Sequence, residues 1–274
     1  MKGYIKGLTV VYLALSILWG CRSVPPSTSG ELFQFSTLPA LVQGVYEGEM
    51  TIAELKKKGD LGLGTLDNLD GELVVLDGVF YQVKYDGTVV VVDDEAVSPL
   101  AIVAFFQPEV VIGPVAAGDY DELEKLLDGV RTTENLPFVF KIEGEFEYVK
   151  TRSVAAQSRP YPPLARALEE PAIFEFSKLE GTTVGFWMPV YFDGVNVPGY
   201  HLHFLSSDRL RGGHLLDCRL KEGRVKAASL SRFSLVLPGN RDFLFKDLAP
   251  SARYDPRGGV KSIPAPELVP SGKR

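Results

Sequence analysis

Cysteine is nearly absent: Cys21 and Cys218 are the chain's two, too few and too far apart for a disulfide framework. Lysine and arginine nowhere form a run, and the formal net charge is −6. The positive footprint that a phosphate backbone demands is therefore missing, which excludes nucleic acid as a partner. No Gly-rich phosphate loop is evident, so no organic cofactor is expected. The apolar stretch at residues 8–18 is shorter than the roughly 20 residues a helix needs to cross a bilayer. No short repeat of solenoid type occurs. Histidine is as scarce, with three residues, all between positions 201 and 214.

Of the 274 residues 45% are hydrophobic, enough for a sizeable core. The first twenty are expected to stay outside it. Lys2 and Lys6 precede the apolar stretch, the order of an export signal. Leu18-Trp19-Gly20-Cys21 resembles a bacterial lipobox, although Trp19 is bulky for its position. Residues 1–20 are read as a lipoprotein-type signal peptide, and lipidation of Cys21 would anchor an exported protein at the cell envelope. Residues 21–30, which include RSVPPSTSG, read as a flexible tether.

From residue 31 strand-like segments dominate. Thr51-Ile52-Ala53-Glu54 is a capping box that opens a short helix stopped at Gly59. Runs at 73–76, 79–83 and 88–92 are punctuated by Asp70-Gly71, Asp77-Gly78 and Asp86-Gly87. Asp-Gly supplies the positive φ angles of tight hairpins, which predicts an antiparallel meander. Residues 100–107 read as a buried strand. Asp119 is placed to cap a helix whose Leu123, Leu126, Leu127 and Val130 share one stripe. A second hairpin is expected from 138–142 and 146–152 around Glu143-Gly144. A Pro-rich turn and short helix fill 157–172, with further strands near 182–191, 200–206, 214–221 and 234–237. The fold class expected is α+β (mixed α/β), with two β-rich subdomains at 31–156 and 157–250 and an irregular tail at 251–274.

The histidines carry the functional signal. His201 and His203 are two apart, so on a strand they point the same way. Gly212-Gly213 is suited to turn the chain back and deliver His214 from the neighbouring strand. Three imidazoles converging on one point form the ligand set of an open zinc site in the C-terminal half. Imidazole also suits iron, copper or nickel, so zinc is favoured rather than fixed. Cys218, four residues after His214, is expected to share its strand face but to lie about 13 Å along the strand. It reads as a small buried hydrophobe rather than a fourth ligand.

Gly199-Tyr200-His201-Leu202-His203-Phe204, followed by Gly212-Gly213-His214, resembles the metal signature of the acetolactate decarboxylases. Other segments in the family's order are Leu32-Phe33-Gln34-Phe35-Ser36-Thr37, Gly44-Val45-Tyr46-Glu47-Gly48, Gly62-Leu63-Gly64-Thr65 and Leu69-Asp70-Gly71-Glu72. Thr151-Arg152-Ser153-Val154, Pro160-Tyr161 and Leu237-Pro238-Gly239 continue it, so the resemblance runs from about residue 32 to about 245. It implies a two-subdomain, usually dimeric enzyme with His201, His203 and His214 as zinc ligands. It also implies Glu72 and Arg152 as polar site residues. The family's second catalytic glutamate sits on its C-terminal tail; spacing from Asp242-Phe243 puts that position near Val260 or Lys261, neither a carboxylate. The tail from Ser251 offers only Asp255 and Glu267, so either Glu267 substitutes from a shifted register or the second carboxylate is absent.

The implied reaction is loss of carbon dioxide from acetolactate, a 2-hydroxy-3-oxo acid, to give acetoin. Arg152 would hold the departing carboxylate or the oxyanion, and Glu72 or a tail acid would deliver a proton. Two alternatives stand beside it. One is a metal-binding surface lipoprotein without turnover, motivated by the altered tail. The other is a metal-dependent hydrolase that uses Glu72 as base.

Overall fold

The computed structural model describes residues 30–249 and 252–262. The expected signal peptide, Cys21 and Glu267 lie outside the described residues. In the first half the strands are β1 (Glu31–Phe35), β2 (Met50–Thr51), β3 (Leu61–Thr65), β4 (Glu72–Leu76), β5 (Val79–Val83), β6 (Val89–Val91), β7 (Val97–Ser98), β8 (Leu100–Ala104) and β9 (Val110–Ala117). Then follow β10 (Phe138–Ser153), β11 (Ala172–Met188), β12 (Gly199–Ser206), β13 (Gly212–Ser229), β14 (Arg232–Val236), β15 (Ala252–Asp255) and β16 (Gly259–Ser262). The helices are short: α1 (Leu38–Val42), α2 (Ile52–Leu55), α3 (Tyr120–Val130), α4 (Leu164–Ala167) and α5 (Arg241–Phe245).

Local signals form the elements they predict. Thr51 caps α2 through the reciprocal Thr51–Glu54 box, and the Asp119 side chain accepts from Glu122 N at the start of α3. Leu123, Leu127 and Val130 are the buried stripe of α3. Positive φ at Asp77 and Gly78 closes the two-residue turn between β4 and β5. The meander β4–β5–β6 is antiparallel as expected.

Two sheets face each other. The first runs in the order β14-β1-β8-β3-β4-β5-β6, with β1 parallel to β14. The second runs β10-β11-β12-β13-β9, and an added pairing of β10 with β13 closes β10 to β13 into a ring. Between the sheets pack Leu61, Leu63, Val74 and Leu76 from one side and Val139, Val184, Phe186 and Leu205 from the other. The ring has its own core, where Phe138, Phe140, Phe146, Leu202 and Phe204 meet α3.

Three expectations need correction. Residues 138–153 form one continuous strand, not a hairpin around Glu143-Gly144. Gly144 pairs with Gly181 on one side and Gly223 on the other, so the glycine marks a close crossing of three long strands. A β-carbon at Gly144 would sit 2.3 Å from the Glu222 carbonyl oxygen. The sheets also do not part near residue 157. β9 and β10 precede that point yet belong to the second sheet, while β14 returns to the first. Finally, the tail is not wholly irregular, because β15 and β16 pair as an antiparallel hairpin.

Candidate metal centre

Strand alternation places the first two histidines. On β12, Tyr200, Leu202 and Phe204 enter the core of the ring, so His201 and His203 face the first sheet. His214 stands opposite His203 on β13, and Arg152 stands opposite His214 on β10. The chain reverses through residues 206–211, where Ser206 N donates to the Arg211 carbonyl and Arg209 takes a positive φ. Gly212-Gly213, the turn expected from sequence, instead begins β13. Gly213, at φ +127°, brings its backbone so close to β10 that a β-carbon would lie 2.5 Å from the Arg152 carbonyl oxygen.

Irregular register sets which side chains reach the centre. Lys150 pairs with Asp217 but Thr151 with Leu215, so Leu216 is the extra residue of a β-bulge. Leu215 and Cys218 therefore share the ring core, and Cys218 does not share the His214 face as sequence spacing suggested. Its thiol is buried and pushed up to about 12 by desolvation, as befits a small hydrophobe.

The imidazole nitrogens converge. His201 Nε2 and His203 Nε2 each lie 3.2 Å from His214 Nδ1, and the three candidate ligand atoms fall within 4.8 Å of one another. Two tautomers follow from the partners. The Leu73 carbonyl, 2.9 Å away, accepts only from a protonated His203 Nδ1, and the Pro256 carbonyl, 2.7 Å away, accepts only from a protonated His214 Nε2. His203 Nε2 and His214 Nδ1 then face each other with lone pairs and no hydrogen between. Burial keeps these rings neutral. It lowers His203 to about 3 and holds His201 and His214 well below the ordinary 6.5. A cation relieves facing lone pairs that protons do not. Nitrogens at roughly 2.0–2.1 Å from a tetrahedral ion stand about 3.3 Å apart, close to the separations here. The donor set fits a divalent metal.

Around it stand the two polar residues. Glu72 opens β4 with its carboxyl toward the second sheet, Oε2 lying 3.6 Å from His203 Nε2. Burial raises its pKa to about 7 against the opposing pull of Arg152. Arg152 is buried, and its Nε has no hydrogen-bond partner among the described residues. Its Nη2 donates to the hydroxyl of Tyr254, a tail residue that sequence reasoning did not single out. A lone tyrosine in a Pro/Gly-rich tail carries no spacing signal that could have found it. The tail also supplies the Pro256 carbonyl, and Arg257 ties it to α3 by pairing with Asp121. A cavity of 40 Å³ borders the centre, lined by Glu72, His201, His203 and Tyr254. Leu38, Leu41, Leu69, Leu100, Leu164 and Leu168 complete its apolar wall.

Comparison with known proteins shows the family of the chain. The family described as alpha-acetolactate decarboxylase matches residues 32–250. The alpha-acetolactate decarboxylase of Methanosarcina mazei is 42% identical over 84% of this chain and 80% of its own. That of Lactococcus lactis is 42% identical over 80% of this chain and 92% of its own. The crystal structure of the Bacillus subtilis alpha-acetolactate decarboxylase superposes with a TM-score of 0.78 at 37% identity, covering 80% of this chain and 94% of that one.

Proposed function

The chain belongs to the alpha-acetolactate decarboxylase family and is a carboxy-lyase, and from that premise we propose that it releases carbon dioxide from acetolactate to give acetoin with zinc held by His201, His203 and His214. The observation that carries the metal reading is the pair of tautomer-fixed lone pairs of His203 and His214 facing each other across 3.2 Å. When bound there, the ion supplies positive charge to substrate oxygens on which negative charge develops.

The chain's own residues account for the rest. Decarboxylation leaves an electron pair that moves into the neighbouring carbonyl, and the former carboxylate-bearing carbon must then gain a proton. Glu72, raised to about 7 by burial, retains a proton to give near neutrality. Arg152 is buried behind the cavity wall with an unspent Nε–H, and its positive charge favours the carboxylate or the oxyanion from there. The leucine wall is apolar and suited to the substrate's methyl groups. Glu267 remains a proposed second acid from outside the described residues.

The test is acetoin formation from acetolactate by purified protein alongside elemental analysis. About one zinc per chain is expected, lost in His203→Ala. Glu72→Gln and Arg152→Ala should each cut acetoin formation by about 100-fold or more while leaving zinc near native. Protein prepared without chelator and free of metal would end the zinc reading. Export, dimerisation and lipidation of Cys21 belong to the same proposal. Cys21→Ser should release the protein from the membrane fraction or leave its precursor uncleaved, which fractionation and mass measurement of the N-terminus would read.

A further inference from the structure

Arg152 does not line the cavity beside the metal centre; Tyr254 does. The guanidinium stands behind the phenol, with Nη2 donating to its oxygen and the guanidinium carbon 5.7 Å from the ring centroid. With its oxygen occupied as acceptor, the hydroxyl keeps its hydrogen, and among the described residues it donates to no other group. A phenol that accepts a charge-assisted bond becomes a stronger donor itself, because linked hydrogen bonds polarise one another. The ring centroid lies 6.3 Å from that of His201 and 6.5 Å from that of His214, so the hydroxyl belongs to the same chamber as the ligands.

The neighbours of Tyr254 in the tail are tied to the rest of the fold. Two positions further on, the Pro256 carbonyl accepts from His214 Nε2, and Arg257 pairs with Asp121 and lies over the Tyr120 ring at 5.0 Å. One tail hairpin thus supplies an orienting acceptor for a metal ligand, a latch to α3 and a cavity-facing phenol. The family match ends at residue 250, before any of them.

We propose that Tyr254 is a substrate-binding residue of this chain, its hydroxyl donating to the substrate's carboxylate and carrying the influence of Arg152 into the cavity. This inference rests on the acetolactate reading of the site. It explains why an arginine suited to a carboxylate is screened from the cavity by an aromatic ring. It also gives the tail a polar role where sequence spacing finds no glutamate.

The experiment uses the full metal-loaded chain and two unreactive ligands. One is the dihydroxy acid formed by reducing the ketone of acetolactate; the other is butanediol, which shares the diol but lacks the carboxylate. Calorimetric binding of both is compared between wild type and Tyr254→Phe, with zinc content and acetoin formation measured in parallel. Loss of a hydrogen bond to a charged group should weaken the dihydroxy acid by about tenfold or more and leave butanediol unchanged, at native zinc content. Equal affinities for the dihydroxy acid in the two proteins would overturn the assignment, as would equal weakening of both ligands. Wild type that forms acetoin while Tyr254→Phe binds normally defeats this inference alone. Wild type that neither forms acetoin nor binds the acid defeats the function it rests on as well.

Discussion

Burial drives the three clustered imidazoles and Glu72 in opposite directions, and each leaves its own mark on stability. A histidine kept neutral in the fold but free to protonate when unfolded costs stability as pH falls below the ordinary 6.5, and for His203 this continues down to about 3. Glu72 acts in reverse: its contribution is full below the ordinary 4.5 and is lost as pH rises through about 7. In metal-stripped protein three imidazoles should outweigh one carboxyl, so resistance to urea should fall on acidification from 6.5 to 4.5. His203→Gln should make that decline shallower and Glu72→Gln steeper. A wild-type profile flat across the interval would contradict neutral buried imidazoles. At this scale the histidine cluster was legible because all three histidines crowd into one short segment, and periodicity does the rest. Glu72 and Arg152 came only through resemblance, since a strand-start carboxylate and a strand-end arginine carry no mark of burial. Tyr254 was invisible because its role depends on where a tail hairpin docks.

Among the elements, short-range chemistry read well and long strands read poorly. The Thr51 box, the Asp119 cap and the Asp77-Gly78 turn are settled by atoms within a few residues, so sequence predicts them. Gly144 and Gly213 look the same on paper as turn glycines, yet both lie within strands where neighbouring backbones approach closely. The Leu216 bulge is equally silent in sequence, and it decides that Cys218 turns into the ring core while His214 faces the first sheet. Gly213→Ala is the sharpest probe of this geometry. Its φ of +127° disfavours a side chain, and the added carbon meets the Arg152 carbonyl at 2.5 Å. A loss of about 1–3 kcal/mol is expected, together with weakened zinc binding because His214 and Arg152 flank the contact. Thermal unfolding and metal titration would check it; unchanged values in both would show that β10 and β13 have room to separate.

Taken whole, the molecule builds its centre across the sheet interface: Glu72 and the Leu73 carbonyl come from the first sheet, the histidines and Arg152 from the second. The mixed class was readable from short helices and frequent strands, but the partition was not. Strand β14 must travel back to pair in parallel with β1, and no local signal encodes that return. The tail hairpin completes the assembly, and a chain ended at Pro250 should keep its sheets and its three clustered histidines. It would lose the Pro256 acceptor, a kind of outer contact whose removal typically weakens metal affinity by about 10–100-fold. Titration of metal into full-length and shortened protein would measure this, and equal affinities would remove the hairpin from the centre. The hairpin also has a bearing on timing. Tyr254 lines the cavity and the Pro256 carbonyl meets His214, so the hairpin covers the basin in the finished fold. Metal added to finished, stripped protein must wait for the Arg257 latch to release, whereas the shortened chain has nothing to wait for. Uptake should therefore be slower in the full-length protein even though it binds more tightly.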